Sequence, residues 1–422
     1  MTRPLLSRLT LVVAWLLLAG LAFGADLPPT LRDFGGRVAA AKAQMPLIIQ
    51  AAEAAAARKV AHPEALLNIT YHLQSSFGEE LLNRSGGLAE ALPTEERPKL
   101  ATDNDIVLFS IRSWEADGAK GLAYLQDCRK KGWLIILIAS RAGQPADLDV
   151  DYFIDNGAAT GTEADAAVNT AANALDGWLW VCEYTSALTR LGKHPGILAS
   201  ITTAGSIPFD RPLQRNDRHI NLYPCATAVP AGDLSRIYLA RVDRMVEELS
   251  GPVTQGQLDR AAGIIAGRLN EGRKVFVTTS THIMLNEMGR NCDTPWTHLF
   301  ALRNMGEVLA KHTQPGDLFF FLSFNGVSIR YYPDEKSPTA LWIDYDTPLR
   351  EAKVDLITCF ARDPLHADNN GDYALAHIEQ NWGFGDSEVP VPFPPGRIAP
   401  ISGLYQCLLY RMLDDVAAAK LK

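Results

Sequence analysis

The chain has 422 residues, 47% of them hydrophobic and 21% charged, with a formal net charge of -8. That length exceeds one ordinary core, because domains typically hold about 100–200 residues, so two domains or one duplicated unit are expected. The acidic balance and the lack of any Lys/Arg block exclude a general nucleic-acid binder, which needs a basic face to neutralise phosphates.

The chain opens MTRPLLSRLTLVVAWLLLAGLAFGADLPP, with Arg3 and Arg8 ahead of an apolar run from Leu9 to Leu21 and small residues at Ala22, Gly24 and Ala25. This is the layout of a Sec-type signal peptide over residues 1–24, and it implies an exported protein, periplasmic or extracellular. The alternative is an uncleaved N-terminal anchor, the one membrane contact the sequence offers, since no later run is apolar and long enough to span a bilayer. From Val38 to Val60 an Ala-rich segment with Leu and Ile at helical spacing predicts an amphipathic helix. Short apolar runs follow at ALLNIT, DIVLFSI, WLIILIAS and DYFID, separated by helical stretches such as AKGLAYLQDCRKKG. Strands alternating with helices imply an α/β unit whose parallel sheet is covered on both faces.

After a Pro/Gly-rich stretch at 201–235, read as a connector, the plan repeats. Helical residues 233–250 and 255–270 lead to KVFVTTS, DLFFFLSF, TALWIDY and VDLITCF, which follow the four earlier runs at separations of about 203 to 212 positions. The expected organisation is therefore a first domain over 36–200 and a second over 236–416. Polar residues echo as well: TYH precedes Glu79 and Glu80, STH precedes Glu287, and IDNGAATGTEADAAV is loosely matched by IEQNWGFGDSEV.

In open parallel sheets, ligands sit at the carboxyl ends of strands, where loops and helix N-termini present unpaired N–H groups. Thr279, Ser280 and Thr281 after one strand and Ser323, Asn325, Gly326 and Ser328 after another form a candidate cradle for the oxygens of a phosphate monoester. Ser, Thr and Asn also cap helices and make turns, which is the alternative use of each. In the first half the corresponding polar positions are Ser110, Arg112 and Ser113, together with Glu79 and Glu80.

These features resemble the sugar isomerase (SIS) family, as two tandem SIS domains over most of the chain after residue 24. The segments GEELLNRSGGLA, DIVLFSIRSWEADGAKGLAYLQDCRKKGWLIILIAS, IDNGAATG and PISGLYQCLLYRML carry the resemblance. It implies a pair of flavodoxin-type three-layer α/β/α units, a sugar or phosphosugar ligand held by the Ser/Thr loops, and a site completed by a neighbouring domain, in a monomer with pseudo-symmetric halves or a homodimer. It also implies isomerase or lyase chemistry or, as in regulatory members, sugar binding without catalysis. The loops NITYHLQSSFG and SIRSWEADG lack the glycines and the Ser-x-Ser-Gly turn usual in the family.

Aldose–ketose isomerisation needs a base to move a proton between adjacent carbons and an acid to serve the oxygens. The resemblance assigns the base to Glu287, on the helix after the first strand of its unit; His282 or His377 is placed to act on a ring oxygen or carbonyl. His366, Asp368 and His377 lack the spacing of a metal motif, so neither metal nor other cofactor is expected. The six cysteines (Cys128, Cys182, Cys225, Cys292, Cys359, Cys407) are scattered singly and read as small buried hydrophobes.

Overall fold

The computed structural model describes residues 27–69, 75–82, 84–93, 101–160, 166–199, 222–279, 297–298, 305–323, 326, 328–330, 342–344, 346–362, 373–382 and 386–421. Residues 1–24, expected as a signal peptide, and most of the expected connector lie outside the described residues. Among those described, no helix is long and apolar enough to cross a membrane.

Helix α1 (Pro29–Ala61) begins with Pro in its first turn, where the missing N–H costs nothing, and ends with Arg58 and Lys59 against the negative end of its dipole. Its buried face is small, with Ala41, Ala51, Ala52, Ala55 and Ala56, so a second helix can approach closely. Strands β1 (Leu67–Ile69), β2 (Ala91–Pro93), β3 (Ile106–Ser110), β4 (Leu134–Ala139) and β5 (Tyr152–Asp155) form a parallel sheet in the order β2-β1-β3-β4-β5. Helices α2 (Ser75–Leu81), α3 (Trp114–Lys130) and α4 (Ala166–Arg190) complete the unit, and the short ribbon of β6 (Lys193–Pro195) and β7 (Leu222–Pro224) closes it.

The second unit starts with α5 (Asp233–Ser250) and α6 (Pro252–Asn270), in agreement with the helical stretches expected there. Its sheet contains β8 (Val275–Thr279), β9 (Thr297–His298) and β10 (Leu318–Leu322), whereas β11 (Ser328–Arg330) and β12 (Trp342–Asp344) form a separate antiparallel ribbon. Strands β13 (Asp355–Phe360) and β14 (Ala376–Glu379) finish the parallel sheet, in the order β14-β13-β10-β8-β9. Helices α7 (Met305–His312) and α8 (Asp346–Glu351) precede β10 and β13; the hairpin of β15 (Ser387–Pro390) and β16 (Arg397–Pro400) leads to the last helix, α9 (Ser402–Ala418). Both sheets thus have the flavodoxin-like order 2-1-3-4-5, read from opposite edges.

One sequence expectation is corrected here. TALWIDY is not a sheet strand: its described residues Trp342–Asp344 pair only with β11, so the counterpart of WLIILIAS is DLITCF and that of DYFID is AHIE. The physical reason is that a central strand of a doubly covered sheet must be apolar on both faces. DLITCF, buried from its second residue on, meets that demand as β4 does; the central positions of the second sheet are filled without 342–344.

The duplication reaches individual hydrogen bonds. Asp105, just before β3, accepts from the N–H of Leu66 (2.9 Å) and of Thr102 (3.3 Å). Asp317, just before β10, does the same for Lys274 (3.0 Å) and Gln314 (2.8 Å). Alternation along the strands divides each sheet between two faces. Ile106, Leu108, Ile136 and Ile138 of one sheet and Val277, Phe320, Leu322 and Ile357 of the other enter a single core with α1, α4, α5, α6 and α9. The opposite faces are covered separately, by Leu125 and Cys128 of α3 and by Leu309 and Leu349 of α7 and α8. A central layer of helices is therefore shared by both sheets.

Candidate functional site

The chain reverses its direction of winding between β8 and β10, so their carboxyl ends flank the crevice in which open α/β sheets hold ligands. Thr279 ends β8 opposite Leu322 of β10, and Ser323 follows immediately. The sheet thus brings Thr279 and Ser323 together at neighbouring strand ends, both buried, with Gly326 buried just beyond. Ser280, Thr281, His282, Glu287 and Asn325 lie outside the described residues. Ser328 belongs to the β11 ribbon, where it pairs with Asp344.

A residue that sequence reasoning passed over secures this corner. Gln406 of α9 donates from Nε2 to the Ser323 carbonyl (2.7 Å) and to Gln380 Oε1 (2.9 Å). Gln380 in turn donates to Cys359 Sγ (3.0 Å), while the Ser323 N–H donates to the Cys359 carbonyl (2.9 Å). The loop after β10 is thereby tied to β13, to the end of β14 and to the C-terminal helix. Burial pushes the Cys359 thiol far above its usual range, so it takes part as a neutral group. The signal was a lone Gln in the apolar run YQCLLYRML, where an unpartnered amide is costly to bury.

The first unit treats the same location differently. Ser110 ends β3, but its Oγ accepts from Asn173 Nδ2 (3.4 Å), and Asn173 also holds the Ile111 carbonyl (3.3 Å) and the Asn156 amide (2.7 Å). Asn169 donates to the Arg112 carbonyl (3.2 Å). Ser113 caps α3 by accepting from the Ala116 N–H (3.3 Å), and the buried Arg112 guanidinium lies 3.8 Å from Asp117. Two asparagines one turn apart on α4 thus engage this edge from within. Their spacing in VNTAANALDG was legible as one helix face, though not as a lining of the sheet edge.

Glu79 is half-buried, while Glu80 is fully buried at the junction of the units. Trp178 Nε1 donates to Glu80 (2.9 Å), Arg84 pairs with it, and Arg84 continues to Asp386 (2.7 Å) and Ser402 Oγ (3.0 Å). A Cβ at Gly403 would stand 2.2 Å from the Glu80 carboxylate, so the first residues of α9 close directly over it. Burial, only partly opposed by Arg84, pushes Glu80 up to about 7. This carboxylate fastens α9 to the first unit.

His377 is found away from the crevice, on the edge strand β14. Three strand spacings separate β14 from β8, about 14 Å by ordinary sheet geometry. Its ring lies 2.9 Å from Thr358 Oγ1 and 3.1 Å from Glu379 Oε2. Burial favours a raised Glu379 pKa, but the hydrogen bond from His377, the Arg362 N–H and the Arg362 charge outweigh it and hold the carboxyl below its usual range.

No family model matches the sequence, and no curated protein matches it. Among solved structures, the chain is similar to the C-terminal domain of glucosamine-fructose-6-phosphate aminotransferase from Francisella tularensis, at 10% identity and a TM-score of 0.48, over 93% of this chain and 96% of that one. A protein from Silicibacter pomeroyi described as a phosphosugar isomerase aligns at 11% identity and a TM-score of 0.48, over 92% and 97% of the two chains. One from Salmonella typhimurium described as a sugar-binding protein aligns at 11% identity and a TM-score of 0.46, over 91% and 99%.

Proposed function

We infer that the chain is an exported tandem SIS-like protein that binds a sugar or phosphosugar at the carboxyl crevice of its second unit. The observation that carries this reading is the placement of Thr279 and Ser323 at adjacent strand ends of the winding reversal, with Ser323 anchored by Gln406. Preorganised hydroxyls and backbone N–H groups suit an oxyanion or a polyol at low entropic cost. The first unit serves as the partner that completes the second. Its own edge is engaged by Asn169 and Asn173, and of the two candidates for the counterpart of Glu287, Glu79 and Glu80, the second is held by Arg84 under α9. Chemistry at the second unit requires Glu287 as base, with His282 serving the sugar oxygen.

Thermal-shift titration of the chain from Ala25 onward with phosphorylated, free, amino and muramic sugars tests the reading. A ligand present at about 100 times its dissociation constant stabilises the fold by about 2.7 kcal/mol. Stabilisation by one class that is lost in Ser323→Ala supports the crevice. A hit is then assayed for isomerisation or loss of a substituent with Glu287→Gln, which abolishes turnover in an enzyme and leaves binding alone in a receptor. Export is checked by N-terminal sequencing of the secreted or periplasmic fraction, with Ala25 the expected first residue.

A further inference from the structure

The two units place an Arg, a carboxylate and a Gln at the same corner of their sheets, and in the second unit that corner borders a cavity. In the first unit the Arg141 N–H donates to Asp155 (3.1 Å), the Arg141 Nε lies 3.5 Å from the same carboxylate, and the Asp155 N–H donates to Gln44 of α1 (2.8 Å). In the second the Arg362 N–H donates to Glu379 (2.9 Å), the Arg362 Nε lies 3.3 Å away, and the Glu379 N–H donates to Gln257 of α6 (3.2 Å). Each joint ties the end of the fifth strand to the turn after the fourth and to the helix that precedes the first.

With these anchors matched, the surrounding residues differ in one chemical direction. Phe153, over which the Arg141 guanidinium lies at 5.1 Å, is replaced by His377. Leu47 gives way to Arg260, and Ala43 to Gly256. In the second unit this corner borders a cavity of about 440 Å³ lined by Val253, Gly256, Gln257, Arg260, Arg362, His377 and Glu379. A Cβ on Gly256 would meet nothing within 4 Å, so this residue leaves the mouth open.

Hydrogen bonds orient His377 and Arg260 at the cavity. His377 is held between Thr358 Oγ1 (2.9 Å) and Glu379 Oε2 (3.1 Å), with Phe360 against its ring at 4.8 Å. Arg260 donates one Nη2 bond to the Leu375 carbonyl (2.7 Å) and has no carboxylate partner among the described residues. Arg362 already neutralises Glu379, which leaves one guanidinium in excess in a recess of monosaccharide size. We propose that this corner is a second ligand site, separate from the crevice of β8 and β10, that binds a monosaccharide-sized anion through Arg260, Arg362 and His377. The anionic group is the carboxylate of a sugar acid or the phosphate of a sugar phosphate; a planar guanidinium recognises either through paired N–H donors. The proposal stands apart from the reading of the crevice, which uses none of these residues.

Calorimetric titration of the chain from Ala25 onward with D-glucuronate, glucose 6-phosphate and glucose tests it. One or both anions bind, glucose binds at least about tenfold more weakly, and Arg260→Gln weakens the anion by at least about tenfold, the size expected for losing a hydrogen bond to a charged group. Gly256→Trp, which fills an open position, abolishes binding while retaining the wild-type circular dichroism. The part of the binding that Arg260→Gln removes persists in Ser323→Ala. Glucuronate alone identifies a sugar-acid site and glucose 6-phosphate alone a phosphate site, and both outcomes support the proposal. It is overturned if neither anion binds at about 10 mM, if anion binding survives both Arg260→Gln and Gly256→Trp, or if those two variants weaken glucose as much as the anions. Binding lost in Ser323→Ala alone also overturns it, and assigns the ligand to the crevice instead.

Discussion

Glu80 shows how a residue's role depends on what its neighbours leave exposed. In sequence it stands where a ligand-facing carboxylate is expected, yet Trp178, Arg84 and the first turn of α9 enclose it. GEELLNR supplies Arg84 but does not report the enclosure, because Trp178 is 98 residues away and the turn that closes over Glu80 is more than three hundred. The consequence is a pH dependence whose sign is fixed. The folded group titrates near 7 and the ordinary carboxyl near 4.5, so folding favours the proton. The associated stability is complete below about pH 4.5 and is lost as pH rises through about 7. Glu80→Gln mimics the protonated form and escapes that loss. Its stability relative to wild type therefore rises by about 2–3 kcal/mol from pH 5 to pH 8, measured by urea unfolding at each pH. A flat difference would mean that Arg84 keeps the carboxylate ionised throughout. The duplication supplies a second case: Gly132 before β4 has φ of 75°, and its counterpart before β13, Lys353, has φ of 53°. A side chain is strained there and glycine is not, so Lys353→Gly stabilises by up to about 1 kcal/mol despite the greater freedom it gives the unfolded chain.

At the scale of elements, strand existence was legible and strand equivalence was not. Apolar runs marked β3, β4, β8, β10 and β13, since buried parallel strands read as continuous hydrophobic stretches. The fifth strand of the second sheet, AHIE, is four residues long and half polar, as an edge strand can be, and TALWIDY took its place in the count. The site divided in the same way. Thr279 and Ser323 follow from strand ends, whereas Gln406 comes from an apolar helix and was invisible as a partner. Replacing it with Leu leaves the Ser323 carbonyl and Gln380 Oε1 without this donor inside the protein. Gln406→Leu should cost about 1–3 kcal/mol. The loop-specific signature is faster hydrogen exchange at residues 318–323, beyond what the global loss of stability explains. A uniform acceleration along the whole chain would remove Gln406 from its role as the anchor of that loop.

The whole molecule departs most from a reading as two beads on a connector. The two five-stranded sheets, within residues 67–155 and 275–379, mark two units, but the inner faces of both sheets drain into one core. The layer between them is built by α1 and α4 of the first unit with α5, α6 and α9 of the second. Polar ties cross it at two places: Thr30 Oγ1 to Asp415 (2.9 Å) and Arg84 to Asp386 (2.7 Å). The Gly86 N–H also meets the Leu198 carbonyl (2.7 Å), while its own carbonyl accepts from Ala399 (3.2 Å), so the last hairpin is stitched to the first unit's backbone. A unit cut free would expose one side of that layer, including Trp178, which donates to the Glu80 beneath α9, and would leave Arg84 without Asp386. Burial of such side chains contributes roughly 1.5–3 kcal/mol each, and marginal domain stability cannot absorb several such losses. The chain from Ala25 onward should therefore unfold in a single transition, with calorimetric and van't Hoff enthalpies equal. Residues 27–200 expressed alone should fail to give a cooperative transition, and mixing them with separately expressed 222–422 should restore one. Two independent transitions in the intact chain would contradict a shared helical layer and return the protein to two autonomous domains.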